Sequence, residues 1–149
     1  GQDYCIEYRE IELETVYELS SNETICAFKT DHTVDSCGYI YKRGDTSVLI
    51  TADTYDLTNV IEILESDLSI KSMVLECSFP SHMDKLALAS KHLTPTLLAE
   101  KLQALKRDDI ELYVNHIKPL YIEEITKEVE DLCSQWKPKI VRDGEIIKF

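Results

Sequence analysis

The chain has 149 residues, 44% of them hydrophobic, which is enough for one packed domain spanning residues 1–149. Its 28 acidic residues against 16 basic ones give a net charge of −12, which argues against a nucleic-acid polymer as partner, because phosphate backbones are held by Lys and Arg that displace counterions. No apolar run approaches the roughly 18 to 20 residues that span a bilayer, and Gly1-Gln2-Asp3 has neither the basic region nor the apolar core of a signal peptide, so the expectation is a soluble, cytoplasmic protein with no membrane partner.

In chain order, residues 4–19 carry β-branched and aromatic side chains in rough alternation and read as a strand, and residues 24–29 as a second. Residues 39–42 and 48–51 flank Arg43-Gly44-Asp45 and predict a hairpin. Helices are expected at 57–64, 85–89, 95–105 and 121–133, where apolar residues recur at helical spacing. Thr94-Pro95 is a capping residue followed by Pro at the first helical position, so a helix should start there with its N–H groups free to face an anion. Short apolar runs at 73–75 and 112–114 read as further strands, and 139–149 as a small hairpin or edge strand around Asp143-Gly144. The five cysteines are odd in number and scattered, without a CxxC, and read mostly as buried thiols in a reducing compartment.

The residues able to bind metal or move protons fall where these strands end. His32 follows 24–29, Asp53 follows 48–51, Glu76 follows 73–75 and His116 follows 112–114. In sheets with helical crossovers, loops converge outside the carboxyl ends of the strands and ligands collect there. Imidazole and carboxylate donors of this kind suit zinc, manganese or iron, and two metals sharing a carboxylate make a hydroxide nucleophile at neutral pH. Glu76, followed by Ser78, either buttresses a ligating histidine or caps the next turn. His82 reads as a surface or helix-start residue and Trp136 as packing against the sheet edge.

Five strings, taken in order, resemble the C-terminal motifs of class II cyclic-nucleotide phosphodiesterases: residues 32–39 (HTVDSCGY), 51–54 (TADT), 76–80 (ECSFP), 90–95 (SKHLTP) and 116–119 (HIKP). The resemblance runs from about His32 to about Leu132, and E-x-S-F-P, H-L-T-P and H-I-K-P are its most specific parts. It implies the α/β (α+β) class and the C-terminal half of a metallo-β-lactamase-like αββα sandwich, with a mixed sheet bearing helices on one face. It further implies two divalent metals, zinc first with manganese or iron as alternatives. His32 would ligate one metal, His116 the other, and Asp53 would bridge them. His92 would act on the leaving ribose oxygen or the phosphoryl oxygens without ligating metal, with Thr94, Ser78 and Lys118 as substrate contacts.

The departure from that pattern is the H-x-H-x-D-H string of the N-terminal half, which does not occur among the chain's four histidines, His32, His82, His92 and His116. The expectation is therefore that this chain lacks the N-terminal half of the fold and is inactive alone. It would be a fragment of a longer enzyme, a partner completed by a second chain, as a homodimer or by pairing with the missing half, or a degenerate relative. The implied activity is hydrolysis of 3′,5′-cyclic nucleotides to 5′-nucleotides. The alternatives are an RNA 3′-end-processing nuclease of the same fold, or a noncatalytic interaction domain.

Overall fold

The computed structural model describes residues 8–149. Seven strands lie in one sheet in sequence order: β1 (Val16–Ser20), β2 (Glu23–Lys29), β3 (Cys37–Arg43), β4 (Thr46–Ile50), β5 (Ile70–Glu76), β6 (Glu111–Asn115) and β7 (Lys139–Ile140). The first four pair antiparallel and β4 through β7 pair parallel, so the sheet is mixed. Helix α1 (Thr58–Ser66) makes the crossover from β4 to β5. Helices α2 (Asp84–Ser90) and α3 (Pro95–Leu102) make the next one, and α4 (Ile122–Leu132) leads to β7. None of the described helices is long and apolar enough to cross a membrane.

The hairpin expected around Arg43-Gly44-Asp45 forms with Arg43 paired to Thr46 and Gly44 left-handed at φ 59, which suits the first position of a two-residue turn. Gly38, in the middle of β3, answers to a close approach. A Cβ there would sit 2.4 Å from the Phe28 ring and 2.6 Å from the Ile50 carbonyl oxygen. The strand read at 4–19 is realised only as β1, with Leu13 adding a lone bridge to Ala27, and its first residues lie outside those described. Helix α3 stops at Leu102, three residues before the apolar periodicity does, and 3-10 turns at Ser81–Met83, Pro119–Tyr121 and Ser134–Trp136 fill connections that gave no periodic signal. Of the two readings of 139–149, the edge strand is the one that forms: β7 is two residues long and no partner strand returns from Gly144.

The core lies between one sheet face and the helices. Leu49, Met73, Leu75, Leu112 and Val114 from the sheet meet Val60 and Leu64 of α1, Leu98 and Leu102 of α3, and Ile125 and Val129 of α4, all essentially fully buried. Each such side chain contributes about 1.5–3 kcal/mol, and truncating Leu75 to Ala would cost about 2–5 kcal/mol with the cavity included. Strand β5 is buried at six of its seven positions, as a parallel strand covered on both faces should be. The second face of the sheet carries Val48 of β4, Val74 of β5 and Tyr113 of β6, and the C-terminal Val141 and Ile147 pack over them. Cys77 and Cys133 are buried thiols, and burial pushes the Cys133 thiol up to about 11, whereas Cys26 and Cys37 are half-buried. Cys5 lies outside the described residues.

Because β3 alone runs against its neighbours between β2 and β6, the carboxyl ends of β2, β4, β5 and β6 all face one edge of the sheet. His32, Asp53, Glu76 and His116 are delivered to that edge by the chain direction of four strands.

Candidate metal and acid-base site

The loop carrying His32 is closed at its base by Thr30, whose hydroxyl donates to Ser36 at 2.8 Å and whose N–H donates to the Ser36 carbonyl at 3.3 Å. Ser36 in turn donates to the carbonyl of Asp53 at 3.3 Å, tying the exits of β2 and β4 together. Asp53 follows Ala52, which is left-handed at φ 52. His116 is itself left-handed at φ 57, and Lys91, directly before His92, has φ 53. A residue with a Cβ pays about 1–3 kcal/mol for that conformation and keeps it only where the surroundings fix it. Three of the five such residues described flank or form this one site.

The Asp53 carboxylate lies between two imidazoles. Its Oδ1 is 3.2 Å from Nε2 of His116 and its Oδ2 is 3.8 Å from Nε2 of His32. The other ring nitrogen of His32, Nδ1, lies 3.1 Å from the Lys91 carbonyl. A carbonyl only accepts, so Nδ1 carries the proton and a neutral His32 turns the lone pair of Nε2 toward a carboxylate oxygen. A neutral His32 thus sets two acceptors face to face, an arrangement that a metal ion or a proton on Nε2 bridges.

His92 belongs to the same cluster. Its ring centroid is 5.0 Å from that of His32 and 5.5 Å from that of His116, and ligand atoms of His32, Asp53 and His92 lie within 4.8 Å of one another. What separates it from the other two is its partner. His92 Nδ1 donates to Oε1 of Glu76 at 2.7 Å, and Glu76 is completely buried. The hydrogen bond and charge of Glu76, with the Asp53 charge behind it, push the His92 pKa upward against burial and against the Lys118 ammonium. The imidazolium of His92 is therefore favoured relative to that of a free histidine, and when it forms Nε2–H is the proton not already committed to Glu76.

Glu76 is saturated with donors. Oε1 accepts from the Thr54 N–H at 3.2 Å as well as from His92, and Oε2 accepts from the Ser78 hydroxyl at 3.0 Å and the Leu93 N–H at 3.3 Å. Glu76 thus holds His92, the histidine read as a nonligand, and joins the exits of β4 and β5 to the loop after α2.

Two residues expected to contact substrate are buried in this structure. Ser78 is fully buried, its hydroxyl occupied by Glu76 with the His116 carbonyl at 3.2 Å, so it braces the site from behind. Thr94 does cap α3, accepting from the Leu97 N–H at 3.3 Å, but it is buried. The N–H groups expected to face an anion are spent. Thr96 N–H goes to the Ser81 hydroxyl, Leu97 N–H to Thr94 and Leu98 N–H to the Thr94 carbonyl, while Pro95 has none. Ser81 was missed in the sequence because it sits 15 residues away, in a 3-10 turn without periodic signal. Lys118 stays at the site, its ammonium 5.9 Å from the Phe79 ring centroid, and that ring stands edge-on to His92 at 5.8 Å. His82 is 64% exposed and paired with Glu124 on the surface, outside the cluster. Trp136 packs partly buried against the core.

Comparison with solved structures shows the fold. Metallo-β-lactamase fold protein YhfI from Bacillus subtilis superposes with a TM-score of 0.71 over 91% of this chain and 52% of its own, at 18% identity. The chain carries the metallo-β-lactamase fold. Igni18, a metallo hydrolase from Ignicoccus hospitalis, matches with a TM-score of 0.66 over 93% of this chain and 59% of its own at 14% identity. The short form of human tRNase Z gives a TM-score of 0.61 over 89% and 46% at 13% identity. The chain thus spans about half the length of these metallo-β-lactamase-fold structures. No protein-family model and no curated protein sequence matches it.

Proposed function

We propose that this chain carries the C-terminal part of a metal-dependent phosphodiesterase site that hydrolyses 3′,5′-cyclic nucleotides to 5′-nucleotides, the remaining metal ligands coming from outside the chain. The observation that carries the reading is the Asp53 carboxylate, which turns one oxygen to His116 and the other to His32 beside a histidine hydrogen-bonded to a buried glutamate. The donor set fits divalent metal: imidazole nitrogens and one carboxylate suit zinc, with manganese and iron as alternatives. His32, Asp53 and His116 would hold two such ions, and these would supply an activated water and polarise the phosphoryl group.

The rest is done by the chain's own side chains. Opening the cyclic diester breaks the bond from phosphorus to the 3′ oxygen, and that oxygen leaves with a proton. His92 is built to deliver it from Nε2, because Glu76 keeps Nδ1 occupied and raises the affinity of the ring for a second proton, and the 3.1 Å bond of His32 to Lys91 holds the neighbouring ring still. Lys118 has no carboxylate partner among the described residues and offers its ammonium to a phosphoryl oxygen. The net charge of −12 favours a small anion over a polymer, since local cations can hold one phosphate while the body repels a phosphate chain.

Metal content by elemental mass spectrometry of the chain purified untagged and without added metal comes first, followed by assays with cyclic AMP, cyclic GMP and precursor tRNA on the protein completed by its other ligands. Cyclic-nucleotide turnover supports the reading. Turnover of precursor tRNA alone replaces it with the RNA-processing alternative, for which the likeness to human tRNase Z is the specific observation. A completed protein that binds no metal leaves a noncatalytic domain.

A further inference from the structure

Lys91 sits where the halves of the site meet. It is the left-handed residue that ends α2, it immediately precedes His92, and its carbonyl accepts the Nδ1 proton of His32. Its ammonium is ion-paired with Asp31, the residue immediately before His32. Asp31 is fixed in turn by the loop that carries Asp53: its N–H donates to the Thr54 hydroxyl at 3.2 Å and its carbonyl accepts the Tyr55 N–H at 2.8 Å. Three segments distant in sequence are thereby held together at one lysine.

We propose that the Asp31–Lys91 pair is a positioning clamp for His32. It holds the Lys91 carbonyl against Nδ1, so that His32 keeps one tautomer with the lone pair of Nε2 toward Asp53, and it fixes the backbone that enters His92. The two side chains are 41% and 40% exposed, and a pair so placed contributes little to global stability. Its leverage is local: Lys91 has a Cβ in a conformation that disfavours one, and the direction of its carbonyl depends on keeping it. A histidine whose far nitrogen loses its partner binds metal more weakly, by about 10-fold to 100-fold where such partners are removed.

The inference rests on reading His32 as a metal ligand, yet its first readout needs no metal. Nitrogen NMR of His32 in the metal-free chain is compared for wild type, Asp31→Asn, Lys91→Met and the charge-swapped double variant Asp31→Lys with Lys91→Asp, alongside melting temperature and zinc affinity by chelator competition. The clamp requires one His32 tautomer in wild type, a mixture in both single variants, about 10-fold weaker zinc binding in those two, and recovery of both properties in the swap with melting temperature nearly constant. An unchanged His32 spectrum in the single variants overturns it. So does a melting temperature that falls in step with tautomer loss, which makes the pair structural. If wild type binds no zinc while the His32 spectrum still responds as stated, the clamp stands and its effect on affinity is read in the protein completed by its other ligands, where an absence of zinc binding would end the metal reading of the site.

Discussion

Glu76 Oε1 lies 2.7 Å from Nδ1 of His92, and the carboxylate that makes this contact is wholly buried with both oxygens occupied. Such a pair fixes the ring, its tautomer and its charge together. Glu76→Gln keeps the shape and removes the charge, so in the completed enzyme it should lower kcat by about 100-fold while leaving metal content unchanged. Without Glu76 to hold the His92 pKa up, the alkaline limb of the pH–rate profile should move to lower pH. An unmoved limb would remove His92 from the role of proton donor.

The same shift gives a stability prediction for the metal-free chain. Folding raises the His92 pKa above its ordinary value of 6.5, so the imidazolium stabilises the fold fully below about 6.5, and that contribution is lost as pH rises through the higher folded value. Urea unfolding at pH 6 and pH 8.5 should show wild type losing more stability across that interval than His92→Gln does. Parallel losses in the two proteins would mean that the titration lies elsewhere.

Asp53→Asn tests the metal centre. Asparagine is nearly isosteric, but it replaces one carboxylate oxygen with an amide that donates, so a residue facing two histidine nitrogens can no longer serve both sides. Metal content measured after dialysis should fall strongly in Asp53→Asn and stay near wild type in His92→Ala, with turnover of the completed enzyme lost in both. Equal metal loss in the two variants would make His92 a ligand, a role that its place within 4.8 Å of the donor atoms of His32 and Asp53 permits geometrically.

How legible this was depended on the kind of signal. The sheet and its four helices were visible because apolar residues repeat at the period of each element, and the convergence of His32, Asp53, Glu76 and His116 followed from their positions just after apolar runs. Thr94-Pro95 announced a real helix start. What stayed hidden was who satisfies whom: that Glu76 takes four donors, that Ser81 reaches Thr96, and that Ser78 turns inward. Those contacts join residues 2 to 22 positions apart with no periodicity, and they depend on loop directions set by left-handed residues at Ala52, Lys91 and His116, none of which is a glycine that would advertise the conformation.

Lys118→Met should separate binding from chemistry. The ammonium lies over Phe79 and near His92 without a carboxylate partner among the described residues, so removing it frees no buried charge and leaves the fold as it was. If it contacts a phosphoryl oxygen in both ground and transition states, the completed enzyme should show KM raised about 10-fold with kcat little changed. Steady-state kinetics with a cyclic nucleotide decides this. A fall in kcat at constant KM would assign Lys118 to the transition state alone.

The last prediction concerns the fold that holds the site. The Arg107 side chain is only 8% exposed, and its guanidinium binds three backbone carbonyls: Leu64 at 2.7 Å and Asp67 at 3.0 Å through one terminal nitrogen, and Ile70 at 2.9 Å through the other. These are the acceptors left over where α1 ends and β5 begins, a turn with no glycine and no basic residue in the last helical turn. Asp109 completes the arrangement by accepting from Nε at 2.8 Å, and Arg107 with Lys71 holds its carboxyl far below the usual range. Arg107→Ala strands several carbonyls at once and should cost about 2–4 kcal/mol, read as a lower urea midpoint at unchanged slope. Arg107→Lys should recover little, because a point charge cannot span three acceptors that a planar fork reaches together. Asp109→Asn should cost less than about 1 kcal/mol, since that carboxylate is 47% exposed and screened. Were the arginine and aspartate variants to cost the same, the ion pair and not the carbonyl network would be what anchors the entry to β5.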